Sequence, residues 1–344
     1  GALLSTMQFL FFSKMATLDV PLVFFLCAAL LCFLKGKKGS KNWLFGVGIF
    51  FALAALTKGL SALIIPVVIF LSAVLSGEFK ALLKPALFVG LAAGIVIILP
   101  WHIFEYCKYK ELFLDGYLFK HLIRRTTMVL DGHTGNSFYY LNVIMNKGRP
   151  WGILGIVSLV YMLYPAFKKS TSRPANRQAA IFVLSWALAV LGIFTLTKTK
   201  LPWYAIPIYP ALSIATATVL EKFLKQRWVL FFILVIIIIA SYSTKYHIFN
   251  LDFNKEAKSL ASIAQSHSSE EKGVYLYRVS DPGIIFYFGD VFKKLDDEAS
   301  LMKLVTPQTQ ALFLMNKQDY DKLLLKLPAI KILATSNYHI LFSR

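Results

Sequence analysis

The residues of this chain that could do chemistry are ionisable side chains at the ends of apolar runs. They are Asp19, Lys58, His121, Arg124, His133 and Lys200, with Tyr204 close after the last of them. An ionisable side chain near a membrane boundary is costly unless it is paired or hydrated, so each is a candidate functional residue. Lysine and arginine bind phosphate oxygens, and a carboxylate accepts a proton from an attacking hydroxyl. This combination suits the transfer of a group from a phosphate leaving group.

Each of these residues also has a purely structural interpretation. Asp19 could cap the helix that follows it, and Lys58 could extend along apolar surface to reach the membrane interface. Lys200 could be an interfacial anchor. His121 and Arg124 could share one face of a basic helix that touches anionic head groups. A common site is therefore indicated only if the topology brings these residues to one side of a membrane.

The composition is that of a membrane protein. Hydrophobic residues make up 57% of the 344 residues, charged residues make up 16%, and the mean hydropathy is +0.61. These values exclude a water-soluble globule. The formal net charge of +19 does not indicate nucleic-acid binding, because the bases lie in short loops rather than in a compact basic domain. The three cysteines form neither a disulfide framework nor a metal-binding spacing.

The loops between the apolar runs alternate in charge, and this alternation predicts the topology. Every second loop is short and rich in lysine and arginine, at residues 35–41, 78–84, 168–177 and 221–227. Such loops are typical of the cytoplasmic side. The candidate residues all fall in the intervening outer loops, so we expect them to meet at one outer face. The apolar run Gly1–Phe12 is too short to span a bilayer, and we interpret it as the last part of a helix.

The tail has a different pattern. Apolar runs of strand length at Val274–Val279, Ile284–Phe288, Ala311–Met315, Ile330–Ala334 and Tyr338–Phe342 alternate with helix-like stretches. We therefore predict an all-α polytopic membrane bundle at residues 1–249, with a large outer loop at 102–149. A small extracytoplasmic α/β domain follows at residues 250–344. The tail carries no compact catalytic constellation, which favours a structural or acceptor-shaping role.

The succession of short motifs resembles a known family. In order they are Thr17-Leu18-Asp19-Val20-Pro21, Leu56-Thr57-Lys58-Gly59, Leu99-Pro100-Trp101, Phe119-Lys120-His121 through Arg124, and Lys200-Leu-Pro-Trp-Tyr204. They resemble the bacterial GT-C glycosyltransferases of the aminoarabinose transferase and protein O-mannosyltransferase superfamily. The resemblance covers about the whole chain. It implies a sugar carried on polyprenyl phosphate and moved to a lipid or protein acceptor.

The resemblance also implies roles for single residues. Asp19 matches a second acidic residue of the active-site cavity, and Lys58, Arg124 and Lys200 match groups that face the lipid phosphate. His121 matches an outer-loop histidine that in some members contributes to a divalent metal site. The family begins with a membrane helix and an outer loop that carries the principal catalytic acid. No residue ahead of Asp19 matches that acid, so we expect a fragment of a longer gene product rather than a degenerate copy.

These inferences predict an integral-membrane glycosyltransferase of the bacterial inner membrane. It would use a polyprenyl-phosphate sugar and modify a lipid A-like or protein acceptor at the periplasmic face. His133 and Tyr204 are further candidates for substrate binding. Alternatives are a flippase or transporter of lipid-linked sugars, a non-catalytic scaffold, and a catalytically incomplete fragment. The transporter predicts charges near the bilayer midplane and internal repeats, whereas the apolar runs hold almost no charge.

Overall fold

Two compact units make up the chain, Gly1–Phe249 and Asn250–Arg344. The computed structural model describes most residues of both. The residues outside the described part are 16, 118, 120–126, 129–133, 168–173, 224–227, 230, 234, 237, 240–251, 253, 268–272, 290–291, 306–310, 328–329 and 344.

The first unit consists of helices. In chain order they are α1 (Ala2–Ser5), α2 (Met7–Lys14), α3 (Asp19–Lys38), α4 (Trp43–Lys58), α5 (Ile64–Ser76), α6 (Pro85–Phe113), α7 (Tyr139–Lys147), α8 (Trp151–Phe167), α9 (Pro174–Leu196) and α10 (Tyr209–Phe223). Short 3₁₀ segments, Gly59–Leu63 and Pro202–Ile208, lead into α5 and α10. Within the described residues, five stretches are long and apolar enough to cross a membrane, and α8 is a shorter apolar helix.

Polar contacts at the two ends of α3 show that successive helices run in opposite directions. Lys58, at the end of α4, pairs with Asp19 at the start of α3. Glu78, just after α5, pairs with Lys37 near the end of α3. The chain therefore crosses the bundle once in α4 and again in α5. We call the end that holds Asp19 and Lys58 the site end, and the end that holds Lys37 and Glu78 the basic end.

The remaining helices continue the alternation. Lys84 precedes α6 and donates hydrogen bonds to the carbonyls of Gly36 and Lys37, so α6 starts at the basic end. Gln178 near the start of α9 donates to Glu78 at the same end. The sequence predicts α6 to stop near Pro100, but the helix continues through this proline and is interrupted only at Lys110 (φ 45°, ψ −115°), shortly before it ends at Phe113. In the apolar run Trp228–Ser243, which the sequence predicts to be a further span, the described residues 228–229, 231–233, 235–236 and 238–239 are helical.

Glycines let α4 and α6 approach each other at backbone distance. A Cβ added to Gly48 would lie 1.8 Å from the carbonyl oxygen of Gly90, and one added to Gly94 would lie 2.5 Å from that of Gly48. Small residues at such crossings give membrane helices the van der Waals contact that drives their association. The contact matters for the site because α4 ends in Lys58.

The core of the first unit is apolar, and so is much of its surface. Buried side chains of α3, α4, α5, α9 and α10 form one cluster. Large apolar side chains such as Phe24, Phe70, Val96 and Leu188 are exposed on the outside of the bundle. An apolar outer surface is the arrangement that a surrounding bilayer requires. The predicted class, an all-α polytopic bundle followed by a small α/β unit, is confirmed.

The second unit is a five-stranded sheet with helices. Its elements are α11 (Lys255–His267), β1 (Val274–Tyr277), α12 (Pro282–Phe288), β2 (Phe292–Leu295), α13 (Glu298–Leu304), β3 (Leu312–Asn316), α14 (Lys317–Leu323), β4 (Lys331–Thr335) and β5 (His339–Ser343). The strand order is β2-β1-β3-β5-β4. β1 pairs in parallel with β2 and β3, whereas β5 is antiparallel to β3 and β4. Successive residues of β3 belong to two different apolar clusters: Leu314 lies in one and Phe313 in the other.

One strand prediction in the tail is wrong, and one strand was missed. The run Ile284–Phe288 belongs to α12, because Asp281 caps this helix and accepts hydrogen bonds from the amides of Gly283 and Ile284. Pro282 at the first helical position suits the same start. The missed strand is β2, whose two central lysines are exposed and give it no apolar run.

Candidate active site

An ion pair between Asp19 and Lys58 lies at the site end of the bundle. Asp19 is the first residue of α3, and its side chain is only 4% exposed, while that of Lys58 is 20% exposed. The N-cap position of α3 belongs to Leu18. The carboxylate of Asp19 therefore does not cap α3, as one interpretation of the sequence would have it, but pairs with the ammonium group of Lys58. The structure brings together two residues that the sequence placed in separate loops.

A tight turn after Lys58 fixes the position of its side chain. Gly59 has φ 47° and ψ −125°, and its amide donates to the carbonyl of Ala55. This backbone conformation is open to glycine and strained for residues with a Cβ. Because the turn ends α4 at Lys58, the ammonium group projects next to the first turn of α3.

Tyr204 provides an aromatic surface beside the ion pair. The ammonium Nζ of Lys58 lies 5.5 Å from the centre of the Tyr204 ring, which is within the range of a cation–π contact. Tyr204 is half-buried and stacks on Phe194 of α9 with ring centres 4.7 Å apart. The ion pair therefore lies against an aromatic surface rather than in open water.

Buried hydrogen bonds fasten the Pro202–Ile208 segment that carries Tyr204. The side-chain amide of Gln8 donates to the carbonyl of Pro202 at 2.8 Å, and the hydroxyl of Tyr209 donates to the Gln8 oxygen. The indole of Trp186 donates to the carbonyl of Pro207 at 2.9 Å. The role of Gln8 is not predictable from the sequence, since a single glutamine in an apolar run carries no recognisable signal.

Lys200 occupies the end of α9. It is 5% exposed, and its ammonium group donates to the carbonyls of Phe194 and Thr195 at 3.1 and 2.5 Å. These carbonyls belong to the last turn of the helix, where unpaired acceptors and the helix dipole favour a cation. Burial lowers the pKa of Lys200, and the nearby charge of Lys198 lowers it further. In the described structure the ammonium group of Lys200 thus caps the C-terminal end of α9 by binding its carbonyls.

Tyr140 is a further polar residue near the site, and its position is not predictable from the sequence. Its ring lies 5.5 Å from the ammonium group of Lys200 and 6.2 Å from the ring of Phe194. Its hydroxyl is buried and makes no well-formed hydrogen bond to the described residues, although Thr197 and the Leu201 backbone lie near it. Burial strongly raises the pKa of this hydroxyl. Aromatic rings thus connect the surroundings of Lys58 with those of Lys200.

Other predicted residues are not part of this arrangement. His121, Arg124 and His133 lie outside the described residues, so their predicted roles stay predictions. Across the described part of the chain, no group of three His, Cys, Asp or Glu side chains could hold a metal ion. The divalent metal suggested for His121 is likewise still a prediction.

Comparisons with known proteins agree with the motifs. The profile of the family described as dolichyl-phosphate-mannose-protein mannosyltransferase matches residues 1–104. An uncharacterized protein of Aquifex aeolicus is 26% identical over 224 residues, which are 64% of this chain and 42% of that protein. An undecaprenyl phosphate-alpha-4-amino-4-deoxy-L-arabinose arabinosyl transferase of Proteus mirabilis is 27% identical over 216 residues, which are 61% of this chain and 37% of that protein.

The fold has a close counterpart among solved structures. The crystal structure of ArnT from Cupriavidus metallidurans bound to undecaprenyl phosphate superposes with a TM-score of 0.78 and 16% sequence identity. The match covers 99% of this chain and 77% of that one. The sequence relatives are longer: the chain spans about two fifths of the length of the curated relatives that it matches.

Proposed function

We propose that this chain, a member of the GT-C superfamily of aminoarabinose transferases and protein mannosyltransferases, moves a sugar from a polyprenyl-phosphate donor to an acceptor outside the cytoplasm. The observation that carries the proposal is the Asp19–Lys58 ion pair against the ring of Tyr204. The comparisons support the same class of donor, because the Proteus mirabilis relative is named for undecaprenyl phosphate.

Lys58 is the group that we assign to the phosphate of the donor. Its side chain is held in place by Asp19 and is shielded from most of the solvent. Electrostatic interactions are stronger in such surroundings than in water. A lysine oriented in advance stabilises negative charge that develops in the transition state without a reorganisation cost at that moment. Tyr204 limits where the ammonium group can move.

The proposed transfer forms one bond and breaks one. An oxygen of the acceptor attacks the anomeric carbon of the sugar, and the bond between that carbon and the phosphate oxygen breaks. The electron pair stays on polyprenyl phosphate, where Lys58 stabilises it. The acceptor proton passes to a carboxylate at the same face, a role that the family resemblance gives to a principal acid. Asp19 takes part as the second acid by orienting Lys58.

We infer which side of the membrane the site faces from the alternation of charge between the loops. Among the described residues, the site end carries Asp19, Lys58, Lys200 and Tyr204, and the lysine-containing loops 35–41 and 78–84 lie at the basic end. We assign the basic end to the cytoplasm by the positive-inside rule, which puts the site at the periplasmic face of a bacterial inner membrane. A lipid A-like acceptor is our first choice, following the resemblance to the aminoarabinose transferases, and a protein acceptor is second.

The test is sugar transfer in membranes from cells that express the protein. Radiolabelled undecaprenyl-phosphate aminoarabinose is supplied with lipid A, and the initial rate of label transfer is measured. Lys58→Ala should lower the rate by about 100-fold or more, the range seen when one preorganised stabilising group is removed. Asp19→Asn should lower it too, because Lys58 then loses its orienting partner. Wild-type rates in both variants would show that the site is elsewhere.

The matched control is an ion pair of the same chemistry in the tail. Lys326 pairs with Glu298 at 2.7 Å, and both side chains are largely exposed. Glu298→Gln should leave the transfer rate at the wild-type level, because exposed pairs of this kind contribute little. Proteoliposomes that move the lipid-linked sugar across the bilayer without transferring it would favour the flippase instead.

A further inference from the structure

We propose that a cavity at the basic end of the bundle binds one anionic phospholipid of the membrane leaflet on that side. The cavity has a volume of about 480 Å³ and lies among α3, α5, α9 and α10. It is remote from the Asp19–Lys58 pair, because its charged residues, Lys37, Lys38 and Glu78, belong to the opposite end of α3. It is therefore a second site, and the proposal does not depend on the transferase.

The walls of the cavity suit an acyl chain. They are mostly apolar and include Leu30, Phe182, Val183 and Trp186, and they also include the exposed side chains of Leu31 and Ile214. Because exposed apolar residues of the bundle face the bilayer, the cavity opens towards lipid at this wall. A chain could thus enter sideways without crossing water.

The depth of the cavity corresponds to one leaflet. It extends along α3 from Cys27 to Lys38, which at the rise of an α-helix is roughly 16 Å. This is about half of the 30 Å hydrocarbon thickness of a bilayer. A single phospholipid with its head group near Lys38 therefore has the right length to fill the space.

The charge at the mouth of the cavity favours an anionic head group. The only carboxylate that lines it among the described residues is Glu78, which is already engaged by Lys37, Ser76 and Gln178. Lys38 lies exposed at the rim and makes no ion pair with the described residues. A phosphate or glycerol-phosphate head group would pair with Lys38, whereas the positive choline of a zwitterionic lipid would gain less.

Native mass spectrometry of the purified protein tests the proposal. The protein is equilibrated in micelles that contain equal amounts of phosphatidylglycerol and phosphatidylcholine, and the retained lipids are counted. We expect one phosphatidylglycerol per chain in excess over phosphatidylcholine. Lys38→Ala should lower its retention about fivefold, which corresponds to about 1 kcal/mol for one lysine near an anionic lipid. Lys41→Ala, in the same loop but not lining the cavity, should not.

Two substitutions that fill the cavity test the location. Ala179→Leu and Ser72→Phe add bulk to residues that line the cavity, and both should abolish retention. Val160→Phe adds bulk on the exposed side of α8 and should have no effect. Size-exclusion profiles identify any variant that does not fold, in which case the comparison of Lys38→Ala with Lys41→Ala decides.

Three results would overturn the proposal. They are equal retention of the two phospholipids, retention that survives the filling substitutions, and replacement of phosphatidylglycerol by an equal amount of undecaprenyl phosphate. The last would assign the cavity to the lipid of the donor rather than to a membrane phospholipid.

Discussion

Two lysine–carboxylate pairs of the same chemistry lie at opposite ends of α3, and their surroundings differ. At the basic end, both oxygens of Glu78 are engaged, one by Lys37 and Ser76 and the other by Gln178. This pair therefore ties the end of α3 to the end of α5 and the start of α9. At the site end, Asp19 is more deeply buried than Glu78, with a side chain 4% rather than 26% exposed, and its lysine faces an aromatic ring.

The difference shows that a charge pair near a membrane boundary does not by itself mark a functional site. Glu78 connects three helix ends, so its hydrogen bonds account for its presence. Asp19 and Lys58 join the start of α3 to the end of α4, beside the rings of Tyr204 and Phe194. Burying an ion pair against aromatic rings costs desolvation free energy, and the functional role that we propose for Asp19 and Lys58 would explain why the pair is there. The two ends should accordingly respond differently to substitution.

The largest effect is expected from a substitution within α4. Because α4 reaches both ends of the bundle, its displacement should disrupt both. Gly48→Leu would force a side chain into the carbonyl of Gly90, 1.8 Å from the position of the new Cβ. Neither backbone can move without separating α4 from α6, and overpacking of such a contact costs at least about 1–3 kcal/mol. We expect little folded protein in detergent by size-exclusion chromatography, and loss of transfer and of lipid retention together.

Gly192→Ala is the control for the glycine experiment. A Cβ on Gly192 in α9 would meet no atom within 4 Å, so this variant should fold in normal yield. Normal yield of Gly48→Leu would contradict the backbone contact between α4 and α6.

Sequence alone predicted much of the bundle and less of the site. Apolar runs and basic loops are local signals, so they located the helices and indicated which residues share an end. Partners are a tertiary property: nothing in the sequence distinguished Lys58, which pairs with Asp19, from Lys200, which binds the end of α9. The proximity of Tyr140 and Gln8 to the site was not predictable, because it depends on how neighbouring helices pack.

The tail shows the same limit on a smaller scale. β1, β3, β4 and β5 have apolar runs that predict strands, and the structure contains them. β2 was not predictable, because it is recognised by its pairing with β1 rather than by its side chains. α12 was mistaken for a strand, because an aromatic and β-branched run outweighed the capping signal of Asp281.

The second largest effect is expected from a substitution at the basic end, where it should lower stability. Glu78→Ala leaves Lys37 and Gln178 without their partner. Both members of the ion pair are partly exposed, so we expect a loss of about 1–3 kcal/mol, below the 3–5 kcal/mol typical of a fully buried pair. Thermal unfolding in detergent measures it. Transfer per folded molecule should fall less than tenfold, in contrast with Lys58→Ala.

Glu221→Ala provides the reference at the same end of the bundle. Glu221 is exposed, and its substitution should shift the unfolding midpoint little. If Glu78→Ala were as harmless as Glu221→Ala, or if it abolished transfer in folded protein, the two ends would not differ in the way we infer.

The third prediction distinguishes the role of Lys200 from that of Lys58 at the site end. Lys200→Met removes the hydrogen bonds to Phe194 and Thr195, which should cost about 1 kcal/mol at neutral pH. Burial lowers the pKa of Lys200 in the folded state below 10.5. Between the lowered pKa and 10.5 the unfolded chain binds more protons, so the contribution of Lys200 to stability should rise with pH in that window.

Unfolding of wild type and variant at several alkaline pH values measures this dependence. The difference in free energy of unfolding should grow as the pH approaches 10.5. Lys41→Met is the control, because Lys41 is an exposed lysine at the basic end, away from Lys200. A difference that shrinks with rising pH would mean that Lys200 is stabilised as a cation by another partner.

The smallest effect is expected from a substitution in the tail, which serves as a reference for the substitutions at the two ends of α3. Asp281 accepts hydrogen bonds from the amides of Gly283 and Ile284 at 2.7 and 3.3 Å and so starts α12. Asp281→Ala should cost about 0.5–1 kcal/mol, the lower range for loss of an N-cap. Hydrogen exchange in the full chain should show faster exchange confined to α12, with no change in sugar transfer. Asp296→Ala, an exposed acid that caps no helix, should leave exchange in α12 unchanged. If Asp281→Ala disturbed transfer as strongly as Lys58→Ala, the tail would take part in the site, and the contrast between the two ends of α3 would no longer be sufficient to locate it.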